Sequence, residues 1–81
     1  MIAHGRAQAG IPVLEQSVRL SPGSLAARKS LALAYERSQR LDDAIVALQG
    51  ALRLAESNGA RDDAAAIERL IRATRDRRGR R

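Results

Sequence analysis

Apolar residues recur along this chain at helical spacing. Ile11, Leu14 and Val18 stand at i, i+3 and i+7, and Ile45, Leu48 and Leu52 repeat that spacing. Residues three, four and seven apart share one face of an α-helix, so both segments read as amphipathic helices. Between them Ala27, Leu31, Ala34 and Tyr35 fall on one face of another segment. Further on, Ala60, Ala64, Ile67, Leu70, Ile71 and Thr74 form the stripe expected to be buried by a last helix. No stretch of useful length alternates with the period of two that a strand requires.

The breaks agree with this pattern. Pro22-Gly23 ends one segment, and the hydroxyl of Ser24 is placed to accept from an unpaired N–H in the first turn of the next. Ser38-Gln39-Arg40 makes a short turn, and Asn58-Gly59 is a helix stop. Asp42-Asp43 and Asp62-Asp63 sit where the helix dipole favours negative charge. The spacing therefore predicts four helices, at roughly 9–20, 24–38, 41–57 and 61–77, with short connections that make neighbours antiparallel. Residues 1–8 are expected to be frayed or disordered, and residues 78–81 to form a basic tail.

Two of these segments are copies. A shift of 34 residues aligns positions 11–20 with 45–54, with identity at Ile11/Ile45, Leu14/Leu48, Arg19/Arg53 and Leu20/Leu54. Gly10, Leu14 and Ser17 give a small, large, small pattern that Ala44, Leu48 and Ala51 repeat. The segment between the copies carries Arg28, Leu31, Ala32 and Tyr35 at the spacing W-x₂-L-G-x₂-Y. In period and in these positions the chain resembles the tetratricopeptide repeat family. The likeness covers about residues 8–57, and the last helix looks like the extra helix that caps such arrays. Departures are Arg28 in place of the bulky aromatic, Gln39-Arg40 in place of a glycine-containing turn, and Glu56 in place of a second proline.

The resemblance implies an all-α, antiparallel helix–turn–helix stack, with Leu31, Ala32, Tyr35, Ala44, Leu48 and Ala51 packing the repeat. It places Ala26, Lys29, Leu33, Glu36 and Arg37 on the concave surface that in this family receives a partner protein or peptide. Lys29 occupies a position at which some members clamp a terminal carboxylate, but Leu33 stands where that clamp needs Asn. Tyr35 falls at a packing position rather than a ligand-anchoring one. Only one repeat, residues 25–58, is complete, and the first helix lacks the mate that repeats of this kind provide for one another. Its Ile11, Leu14 and Val18 are expected to form an open edge. The chain is then either a fragment of a longer array or a homo-oligomer assembled through that edge.

Composition narrows the chemistry. In 81 residues there is no Cys, Phe or Trp, and Tyr35 is the one aromatic, so the core must be built from Ala, Leu, Ile and Val. The absence of cysteine fits a reducing, cytoplasmic setting. No apolar run approaches the roughly 20 residues that span a bilayer. The net charge of +6 is concentrated at one end, since residues 69–81 hold seven arginines against Asp76 and residues 1–68 are balanced. Arg75, Arg77, Arg78, Arg80 and Arg81 could attract nucleic acid or an anionic membrane weakly through counterion release. There are no aromatics interleaved to stack on bases. His4 is the lone histidine, and adjacent carboxylates on a helix point about 100° apart and do not converge on one ion. With no phosphate loop, nucleophile elbow or ligand cluster, no catalytic residue, cofactor or metal is expected. The sequence reads as a non-catalytic protein–protein interaction module.

Overall fold

A computed structural model describes the backbone of residues 2–80 and the side chains of residues 9–80. Four helices follow one another: α1 (Ile2–Leu20), α2 (Leu25–Arg37), α3 (Leu41–Ser57) and α4 (Arg61–Gly79). There is no strand among the described residues. Each helix packs extensively on its neighbour in the chain, which gives a slab of 38 × 31 × 15 Å with α1 and α4 at its two ends.

Two helices are longer than the apolar spacing indicates. α1 starts at Ile2 rather than near residue 9, and α4 runs to Gly79 rather than 77. Ala3, Ala7 and Ala9 favour helix intrinsically, although the segment carries no apolar stripe that would mark it. Pro12 is consequently interior to α1, where it has no N–H to give to the preceding turn.

The core lies on both sides of the α2–α3 hairpin. On one side Ile11, Leu31, Ala34, Tyr35 and Ala44 cluster, with Leu14 and Val18 packed against them. On the other, Ala32, Leu48, Ala51, Ala55, Ile67 and Ile71 join α2, α3 and α4. Ala44, Ala51, Ala55 and Ile67 have no exposed surface. Alanines at these positions let the backbones of α2 and α3 approach closely, and the larger residues fill the space beside them. Arg28 lies across the same interface. Its Nε donates to the Pro22 carbonyl at 2.9 Å, and its guanidinium reaches within 3.2 Å of where a Cβ on Gly50 would stand.

The turns after α2 and α3 are the same device built from different residues. After α2, the N–H of Gln39 donates to the Glu36 carbonyl and that of Arg40 to Tyr35. After α3, Gly59 donates to Glu56 and Ala60 to Ala55. Both are Schellman closures, which place one residue in the left-handed region: Gln39 at φ 65° and Gly59 at φ 70°. Before α2, Ser24 does cap the helix, its Oγ accepting from Ala27 N at 3.2 Å.

Tyr35 ties α2 to α1. Its hydroxyl donates to Glu15 Oε2 at 2.6 Å, and the Arg40 guanidinium lies 4.8 Å from its ring centroid. Burial, and then the hydrogen bond and charge of Glu15, push the phenol up to about 12.

Two outcomes follow for stability. Gln39→Gly should stabilise the fold by about 1 kcal/mol and Gly59→Ala destabilise it by about as much, because a side chain is strained at these φ values; urea unfolding followed by helical dichroism measures both. The second concerns pH. The folded phenol keeps its proton to about 12, whereas an unperturbed phenol titrates at 10.0. Its contribution is therefore complete below pH 10 and is lost as pH rises through about 12. Unfolding titrations across that window should show stability falling more steeply in the native chain than in Tyr35→Phe.

Candidate functional site

α2 and α4 flank a narrow cleft. Its floor is Ala32, Ala44, Leu48 and Thr74, and Leu33 and Leu70 rise on opposite sides. Those two leucines are 40 % and 37 % exposed, large apolar side chains left partly open to water beside a floor of small and apolar residues. The floor is not a source of unpaired polarity, since Thr74 Oγ1 donates to the Leu70 carbonyl at 2.8 Å.

Ion pairs frame the cleft. Lys29 Nζ lies 3.9 Å from Asp63 Oδ1, and Arg77 meets Glu36 at 2.5 Å. Both join α2 to α4. At about 100° per residue, Lys29 and Glu36 lie on the side of α2 that turns towards α4, whereas Ala26, Leu33 and Arg37 form an adjoining row. Ala26, Leu33 and Arg37 are exposed, and Lys29 and Glu36 half-buried. The structure thus places these five residues along one side of α2, in two rows with different neighbours.

The contribution of α4 to this cleft differs from the expectation drawn from apolar spacing. Leu70 belongs to the stripe expected to be buried, yet it opens into the cleft, while Ile67, Ile71 and Thr74 are covered. From sequence, Asp63 reads as a helix-start charge and Arg77 as part of the basic end. Their apolar or charged character is plain in the sequence, but their placement opposite Leu33, Lys29 and Glu36 is a tertiary fact with no local signal.

The edge expected at Ile11, Leu14 and Val18 requires correction. Ile11 is buried, and Leu14 and Val18 are half-buried against the same cluster. This stripe faces α2, which covers Ile11 fully and Leu14 and Val18 in part. By contrast Leu31, Ala32, Tyr35, Ala44, Leu48 and Ala51 are all buried within the hairpin.

The arginine-rich end is also less free than a tail. Arg78 pairs with Asp42 at 2.5 Å and Arg80 with Asp76 at 2.6 Å, in addition to the Arg77–Glu36 pair. Arg75 is exposed, and Arg81 lies outside the described residues. Beside this end is a polar depression of about 430 Å³ lined by Gln39, Arg40, Leu41, Asp42, Asp43 and Arg78. Asp42 and Asp43 turn to different partners there, Arg78 and Arg40, instead of towards one point. No cluster of His, Cys, Asp or Glu able to hold a metal ion occurs among the described residues, and the side chain of His4 lies outside them. No described helix is long and apolar enough to cross a membrane.

A family model described as tetratricopeptide repeat matches residues 1–61, which takes in α1, α2 and α3 and stops at the first residue of α4. No curated protein and no solved structure matches the chain. A match over three quarters of the sequence, on helices that pack in the order and with the small-residue contacts described above, makes this chain a member of the tetratricopeptide repeat family.

Proposed function

We propose that the chain is a non-catalytic protein-interaction module whose partner docks over the α2–α4 cleft, laying an apolar side chain across the exposed faces of Leu33 and Leu70. The observation that carries this reading is the pair of exposed leucines flanking one cleft whose floor is Ala32, Ala44, Leu48 and Thr74. Covering two such side chains with a partner removes apolar surface from water, at roughly 25 cal/mol per Å². Lys29 and Asp63 stand at one end, Glu36 and Arg77 at the other, so a segment crossing the cleft meets both signs of charge at each end. Ala26 and Arg37 extend the surface along α2 beyond the cleft. This geometry suits a short helix or extended segment with one or two apolar anchors.

The test is capture of binding proteins from native extract on the immobilised chain, followed by affinity measurement with the purified partner. Leu33→Asp and Leu70→Asp should each weaken binding at least about tenfold, a loss of about 1.4 kcal/mol, with helical dichroism unchanged. Val46→Asp, on an exposed residue of α3 away from the cleft, should leave affinity intact. Equal loss in all three variants, or in none, would place the binding surface elsewhere.

A further inference from the structure

α1 carries two uncharged stripes, and only one is used within the chain. Ile11, Leu14 and Val18 face α2. The second stripe is Gly10, Val13, Ser17 and Leu20, at spacings of three, four and three, which is the a/d seam of a helix pair. Val13 is 67 % and Leu20 74 % exposed. A Cβ built on Gly10 would meet nothing within 4 Å. Leu14, half-buried, borders this seam and joins it to the core beneath. The four seam residues carry no charge.

The molecule itself shows how such a face is covered. Gly10 and Ser17 stand 34 residues before Ala44 and Ala51, which in α3 are fully buried in the antiparallel α2–α3 hairpin. In α1 the corresponding small residues are only half-buried.

We infer that this seam is the interface of an antiparallel, two-fold symmetric dimer in which α1 packs on α1 of a second copy. Side-chain size carries the argument. In an antiparallel pair an a position faces a d position, so Gly10 meets Leu20 of the other copy and Val13 meets Ser17. Every layer then sets a large residue against a small one, and the seam is complementary to itself. A parallel pair would instead stack Leu20 on Leu20 and leave a gap at Gly10. Charge points the same way. The excess of arginine lies in and beyond α4, at the end of the slab opposite α1, so pairing through α1 keeps the two basic ends apart. Head-to-tail packing of α4 on α1 would bring Arg69 and Arg72, both exposed, against an uncharged seam with no carboxylate to meet them. The contact is only about three helical turns long, so the dimer is weak.

Sedimentation equilibrium of the full chain from micromolar to millimolar concentration tests this. The native chain should pass from monomer to dimer and no further. V13E should raise the dissociation constant at least tenfold with helical dichroism unchanged, since position 13 is exposed in the monomer. V13E/S17K should restore dimerisation, because the antiparallel layers place position 13 against position 17. A native chain that stays monomeric at millimolar concentration would overturn the proposal, as would a dimer indifferent to V13E. A double variant that dimerises no better than V13E would overturn the antiparallel register, because a parallel pair sets like charges together in both layers.

Discussion

The close approach of α2 and α3 through alanine side chains is the constraint on which the rest of this structure depends. Ala32, Ala44, Ala51 and Ala55 are buried, and any larger residue there would push the two backbones apart. Because they are small, Leu48 can reach the cluster shared with α4, while Leu31 and Tyr35 fill the cluster shared with α1. The same closeness gives the cleft its floor, since Ala32, Ala44 and Leu48 line it from below. A chain without Phe or Trp has few other ways to bury enough surface in 81 residues.

Helix ends in this chain are fixed by backbone geometry more than by side-chain chemistry. Neither α3 nor α4 has a side-chain cap at its start. What precedes each is a Schellman closure that aims the chain back along the helix just completed, and it operates with Gln39 as it does with Gly59. The left-handed residue is therefore demanded by the hairpin geometry, and glycine is only its least strained occupant. At the first of these turns Arg40 covers the ring of Tyr35, where an apolar contact commonly closes the motif.

Much of the fold was legible because burial here follows apolar spacing. Leu31, Tyr35, Leu48 and Ile67 stand at helical intervals and are all buried, and the 34-residue recurrence with its family likeness supplied the antiparallel stacking. The signal failed where structure has no apolar period. The start of α1 at Ile2 rests on alanine-rich sequence with no stripe. It failed again where two stripes share one helix. Ile11 and Val13 are both apolar, and only the position of α2 decides which is covered. The candidate site was half legible. The α2 row of Ala26, Leu33 and Arg37 came from the family likeness, but the opposing wall did not, because Glu36 and Arg77 are 41 residues apart and nothing local in either helix marks the other.

The ion pairs that frame the cleft have a thermodynamic consequence. Lys29 and Glu36 already hold Asp63 and Arg77. A charged partner arriving at the cleft must displace one of these α4 residues to engage its α2 counterpart. Binding is then an exchange of one exposed ion pair for another, and each such pair is worth at most about 1 kcal/mol. Electrostatic gain largely cancels in the swap, and the salt dependence cancels with it. If a partner docks here as proposed, its affinity is governed by the fit of its apolar anchor, while charge acts as a filter on which anchors are admitted.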